Sequence, residues 1–423
     1  MRIALVTPHA SARGPGTAPE RGTGLAALAP ALSALGHDVT VYARKASPSL
    51  PAEDILAPGV TIHYVTAGPT GPLPTDDLAP HIRPLGEFLA KHWRQDPPDL
   101  VHAYSWPGGL AALAAARDLD IPVAVTFHEL NVQAGLLRLR QARDQLARVR
   151  LKLSLARTVD LVLARSAEEM GVLGALGVPR PAIRVVPWGV DTGHFVPDGP
   201  VAPRNGRRRL VTAWPAGTQR PDMLLRALAD IPDTELLVVG GPPRKELAKS
   251  PLYRDLARLA ARVQVANRVV FTGGVAWEDL PSLLRSADLM VSTSAASLFD
   301  GAALQAMACG TALAAPATGF YSDLVVDGTT GLLFQPGRPV GLARRIRRLL
   351  DSPVQLEAFG IAAADRARSR YSWDRIAREA TRAYQRCLPA PAPEPADATD
   401  EADELASVGD VLADLTAAVV PGA

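Results

Sequence analysis

The sequence predicts an α/β protein of two doubly wound domains with a cleft between them and an acidic C-terminal tail. Three observations carry this expectation. Short apolar runs alternate with stretches of helical periodicity, and the alternation occurs twice. A segment rich in Pro, Gly and Arg, residues 197–209, separates the two series. The chain has 423 residues, 48% hydrophobic and 21% charged, which suits two or three folded domains with sizeable cores.

Residues 3–6 (Ile-Ala-Leu-Val) form an apolar run of the kind found in buried parallel strands. A Gly- and Pro-rich loop spans Ser11 to Gly24, and a helical stretch then runs to Leu35 with Gly36 as its stop. Pro30 falls inside that stretch, so the helix is expected to start late or to kink. Further strands are expected at 38–43, 60–65, 99–103, 122–127, 160–164 and 183–187, with helices over 108–118, 136–157 and 166–176. After the linker the strands fall near 209–213, 235–239, 268–272, 288–292, 311–314 and 331–334. An Arg-rich helix at 341–350 and another at 372–387 close the folded part. The expected division is a first domain at 1–196, the linker at 197–209, a second domain at 210–370, a closing helix at 371–388 and a tail at 389–423. Ligands of doubly wound sheets bind beyond the carboxyl ends of the strands, so the site is expected in the interdomain cleft.

The net charge of +2 leaves no global footprint for nucleic acid. The charge is uneven, however. Residues 389–423 hold eight acidic residues and no Lys or Arg, and without them the body has 45 basic against 35 acidic residues. Pro389 to Pro395 cannot continue a helix. Leu405, Val408, Leu412, Leu415 and Val419 fall on one side of a short amphipathic helix, and both a docking peptide and a solvated tail fit this pattern. Two clusters of Arg, one over 138–157 and one at Arg344, Arg345, Arg347 and Arg348, fit an anionic acceptor, a membrane surface or a solvated helix face. Cys309 and Cys387 make neither a disulfide framework nor a metal motif, and Cys309 reads as a small core residue. The chain opens on a strand rather than a basic region followed by an apolar one, and no apolar run reaches about 18 residues. A cytoplasmic location is the resulting expectation.

Several stretches, in order, resemble the family-4-type retaining glycosyltransferases, in the branch of sucrose-phosphate synthase and the mycothiol glycosyltransferases. They are His102-Ala-Tyr-Ser-Trp-Pro-Gly-Gly109, Val125-Thr-Phe-His-Glu129, Val185-Val-Pro-Trp-Gly-Val-Asp191, Val238-Val-Gly-Gly-Pro242, Ser286-Ala-Asp-Leu-Met-Val291, Ala306-Met-Ala-Cys-Gly-Thr311 and Val326-Asp-Gly-Thr-Thr-Gly-Leu332. The likeness covers roughly residues 1–388. It implies a GT-B fold of two Rossmann-type domains, the acceptor on the first and a nucleotide-diphosphate sugar on the second. It also implies hexosyl transfer with retention, without metal or other cofactor, to a small-molecule, glycan or lipid acceptor. The charge growing on the leaving diphosphate must then be met by Arg, Lys and backbone N–H groups.

The residues at the resembling donor positions depart from that pattern. Trp214 stands at the position of the family's arginine and Gln219 at that of its lysine, with Arg220 one residue on. In the stretch from Ser292 to Gly310, Ser297 and Gln305 stand where the family places two glutamates, one for the donor sugar and one for the ribose. Gln305 can still hydrogen-bond a hydroxyl, whereas Ser297 is too short to replace a glutamate directly. Gly301 belongs to the same donor loop, and Asp300 before it adds an unfavourable charge beside an anion or serves as a helix cap. Pro19, Glu20 and Arg21 replace the Gly-rich pattern of the first loop. His128 matches the family's sugar-facing histidine and equally fits a hydrogen-bonded histidine at a strand end, while His102 reads as structural. Three readings follow: a transferase with an altered donor site, a catalytically inactive relative that binds a ligand or partner, and a scaffold whose acidic tail recruits a partner protein.

Overall fold

The computed structural model describes residues 1–8, 24–71, 73–127, 143–214, 221–294, 301–336 and 339–388. Among these, two sheets form, one in each half of the chain. The first comprises β1 (Arg2–Thr7), β2 (Asp38–Arg44), β3 (Glu53–Ala57), β4 (Val60–Val65), β5 (Leu100–Tyr104), β6 (Val123–Thr126), β7 (Leu161–Ala164) and β8 (Ile183–Val185). Its order is β3-β4-β2-β1-β5-β6-β7-β8, and each pair is parallel except β3–β4. The second comprises β9 (Arg208–Ala213), β10 (Thr234–Val239), β11 (Val269–Gly273), β12 (Leu289–Val291), β13 (Leu313–Pro316) and β14 (Gly331–Phe334). Its order is β11-β10-β9-β12-β13-β14, parallel throughout. Each sheet therefore has a strand at which the winding reverses, β1 in the first and β9 in the second. The crevices beside these strands are where such folds take ligands.

Helices cover the first sheet: α1 (Leu25–Ala34), α2 (Ile82–Trp93), α3 (Ser105–Ala116), α4 (Arg143–Thr158) and α5 (Ala167–Ala175). The second is covered by α6 (Pro221–Ala229), α7 (Pro251–Arg262), α8 (Leu280–Arg285), α9 (Gly301–Ala308), α10 (Phe320–Leu324), α11 (Pro339–Leu350) and α12 (Pro353–Tyr371). The last helix, α13 (Trp373–Tyr384), packs on α1 and so completes the first lobe. Central strands are buried along their length, as the apolar runs require.

Some elements differ from expectation. α1 starts directly at Leu25 and runs on through Pro30, so the late start is not adopted. Burial of Leu25, Leu28, Ala29 and Leu32 offsets the backbone bond that Pro30 removes. The helix ends as Gly36 suggests: His37 N donates to Leu32 O (3.3 Å), Gly36 N donates to Ser33 O (2.9 Å), and Gly36 takes φ 83°. α2, the hairpin strand β3 and the 19-residue α12 lie outside the expected elements. The buried side of α12 is largely Ala and Gly, a stripe too weakly apolar to show in the sequence.

Candidate functional site

Trp214 follows β9, the strand at which the second sheet reverses. Its N–H donates to Val239 O (2.7 Å) at the end of β10, which holds it against the neighbouring loop. The half-buried indole lies on Gly241, where a Cβ would come within 2.6 Å of the ring. Gly241 has φ 97° and Gly240 φ 98°, so glycine is needed there both for conformation and for space. Phe271 meets the indole edge-on, with ring centroids 6.4 Å apart. Thr272 fixes the same corner, accepting from Gly240 N (3.2 Å) and donating to Gly273 O (2.8 Å).

On the other side of β9, β12 is followed by Ser292-Thr-Ser294, three buried polar residues after an apolar strand. Ser292 N donates to Ala314 O (2.9 Å), continuing the sheet. The Thr293 hydroxyl is buried and has no hydrogen-bond partner among the described residues. The same holds for Gln305 Oε1 on α9, a residue only 7% exposed. A buried polar atom left unpaired costs about 1–3 kcal/mol, and such atoms in a folded protein call for a ligand, a water or a functional reason.

The first sheet shows a similar corner. Ser105 follows β5, next to β1, and is a buried non-glycine residue at φ 67°. Its hydroxyl and the Trp106 indole N–H are buried without a partner among the described residues. Strain and unmet polar groups together mark functional corners of folds. Gly108 brings α3 close to Pro8 at the end of β1, within 3.1 Å of where a Cβ would stand. Below this corner His102 is fully enclosed: Nδ1 lies 2.7 Å from the Tyr384 hydroxyl of α13 and Nε2 lies 2.9 Å from Thr126 Oγ1. Burial lowers its pKa to about 3, so it stays neutral and structural, as expected. Burial also raises the Cys309 thiol to about 12 within the core of the second lobe.

The structure thus brings Trp214, Gln305 and Gly301 to the carboxyl end of the second sheet, with Gly301 opening α9. His128, Gln219, Arg220 and Ser297 lie outside the described residues, as do Asp300, Pro19, Glu20, Arg21 and the 389–423 tail. Thr293 and Ser105 were not among the candidates; the run of three polar residues after an apolar strand was the one available signal for the first. Arg344, Arg345, Arg347 and Arg348 fall on the exposed side of α11. No group of three or more His, Cys, Asp or Glu among the described residues is placed to hold a metal ion. No described helix is long and apolar enough to cross a membrane.

Residues 22–194 match the model of Glycosyltransferase Family 4, and residues 211–352 match that of Glycosyl transferases group 1. A D-inositol 3-phosphate glycosyltransferase of Streptomyces scabiei is 31% identical over 407 residues, covering 90% of each chain. The chain belongs to glycosyltransferase family 4. A second D-inositol 3-phosphate glycosyltransferase, from Acidothermus cellulolyticus, is 30% identical over 399 residues, covering 88% of this chain and 87% of its own. Among solved structures, the family frame is matched by sucrose-phosphate synthase from Thermosynechococcus elongatus, with TM-score 0.78, 24% identity and coverage of 91% of this chain and 98% of that one. Anabaena HepE, solved in complex with UDP and glucose, gives TM-score 0.68 at 19% identity, covering 91% of this chain and 99% of its own. The two parallel-sheet lobes are those of the GT-B fold, with the two reversal strands marking its two halves.

Proposed function

We propose that this family-4 protein transfers a hexose from a nucleoside-diphosphate sugar, with retention, to an acceptor held at the first sheet, and that it does so slowly. The observation that carries the reading is the pair of buried groups with no hydrogen-bond partner among the described residues, Gln305 Oε1 and Thr293 Oγ1, beside the reversal strand of the second sheet. They are hydrogen-bonding groups at the place where the fold takes a nucleotide. Family membership and the UDP held by HepE support the same assignment. In the reaction the bond from the anomeric carbon to the diphosphate breaks, the acceptor oxygen bonds to that carbon, and the acceptor's proton leaves with the diphosphate. Gln305 is assigned to the ribose, Ser297 and Gly301 to the donor sugar and its loop, Arg220 to the diphosphate, and His128 to the transferred sugar.

Slow turnover follows from what replaces the cations. Removing one preorganised charge-stabilising group costs about 2.7–4 kcal/mol of transition-state stabilisation. With Trp214 and Gln219 in place of both, the loss is on the order of 5–8 kcal/mol if additive, about 10⁴–10⁶ in rate, less what Arg220 returns at the diphosphate. A second reading, binding without turnover, is favoured by Trp214 itself: a neutral ring packed on Gly241 has no charge to offer a leaving diphosphate. Calorimetric titration with UDP, GDP, ADP and their sugars, beside a donor-hydrolysis assay, separates the two. Micromolar binding with slow hydrolysis supports the transferase. Binding without any hydrolysis supports the second reading, and absence of binding to every nucleotide removes both.

A further inference from the structure

Two helix N-termini meet where the lobes touch. α5 starts at the carboxyl end of β7 on the first lobe, and α10 at the carboxyl end of β13 on the second. Such ends carry unpaired N–H groups and partial positive charge, so opposing them is unfavourable unless each meets an acceptor. Here the acceptors are exchanged between the lobes. Asp323 of α10 accepts from the N–H of Ala167, the first residue of α5 (2.7 Å). Glu168 of α5 accepts from the N–H of Gly319, the residue that precedes α10. Gly319 takes φ 54°, a backbone conformation that L side chains rarely adopt.

The turn that presents Asp323 is braced from behind. Arg366 of α12 donates to Asp323 O (2.6 Å) and Leu324 O (2.8 Å), and the Tyr371 hydroxyl donates to Asp323 O (3.0 Å). Tyr371 also accepts, through its own carbonyl, the N–H of Val190 (2.8 Å), where the chain crosses between the lobes. Val190 pairs with Ser372 at the same crossing. One residue therefore holds the hinge with its backbone and the Asp323 turn with its side chain.

We infer that Asp323 and Glu168 form a reciprocal latch that holds the two lobes closed, and that Tyr371 couples this latch to the hinge. Both bonds form and break together as the lobes close and open. Amide hydrogen exchange is followed by mass spectrometry at Ala167 and Gly319 in the wild type, Asp323→Ala and Glu168→Ala. Each substitution is expected to speed exchange at both amides, including the one whose own acceptor is intact. Faster exchange only at the amide that lost its acceptor overturns the latch, because the two bonds would then be independent. Exchange in β1 and β9 reports whether a variant is folded. Where alanine disturbs the fold, Tyr371→Phe removes only the supporting hydroxyl. It too is expected to raise exchange at both amides, and unchanged exchange at both overturns the coupling.

Discussion

Trp214 and His102 show what single residues contribute, one at the candidate site and one in the core. In sequence Trp214 reads as the residue at the position of the family's arginine, counted back from the helix that follows it. Its packing on Gly240 and Gly241 was not legible there, since that depends on two positive φ angles. Thr293 and Ser105 were missed for a related reason: an unmet hydroxyl and a strained backbone angle leave no pattern in a sequence. On the proposed placement of the donor site, the combined substitutions Trp214→Arg, Gln219→Lys, Ser297→Glu and Gln305→Glu are expected to raise nucleotide-sugar affinity in a calorimetric titration. No gain would mean that these positions do not hold the donor. His102 supports a separate prediction. Its pKa in the folded protein is about 3, against an ordinary value of about 6.5 when unfolded. Between those values the unfolded chain binds a proton that the folded chain refuses, so stability falls as pH falls. The slope reaches about 1.4 kcal/mol per pH unit, and above the unfolded value this contribution is flat. His102→Gln is expected to flatten the decline in melting temperature between about pH 6 and pH 4. An unchanged decline would assign the acid sensitivity to other groups.

Elements differ in how plainly they are written. The parallel strands were legible because burial on both faces demands unbroken apolar runs, and Ile3–Val6 and Leu289–Val291 leave little alternative. α12 was not, because what it buries is chiefly small: Gly360, Ala363, Ala364 and Ala367, flanked by Phe359 and Tyr371. Small residues let two backbones approach, and the structure shows why that matters. A Cβ at Gly360 would overlap the carbonyl oxygen of Gly310, where α9 ends. Gly310 itself has φ 76° and cannot easily yield. Gly360→Ala is therefore expected to push α12 off α9 and to cost about 1–3 kcal/mol in a denaturant titration. A neutral result would show that the two helices slide apart without loss of packing elsewhere.

At the scale of the molecule, two doubly wound domains were legible from the repeated alternation, but the way the chain ties its lobes together was not. α13 reads in sequence only as a helix that closes the folded part, assigned to neither lobe, and in the structure it packs on α1 of the first. No local pattern reports which lobe a terminal helix joins. The tie is specific: His37 Nε2 lies 3.0 Å from Thr381 Oγ1, and the fully buried Tyr384 reaches His102 beneath the first sheet. Because α13 follows α12 directly, the first lobe cannot lose it without disturbing the second at Tyr371 and Ser372. The wild type is expected to melt in a single calorimetric transition. Tyr384→Ala removes a buried aromatic, at about 3–5 kcal/mol, and leaves His102 Nδ1 without its partner. The loss falls chiefly on the first lobe, so the variant is expected to melt in two transitions, the lower one accompanied in amide exchange by loss of protection in β1, β5 and β6. If the variant still melts in one transition, the lobes are coupled through the 186–190 crossing rather than through α13, and the helix is a cover instead of a tie.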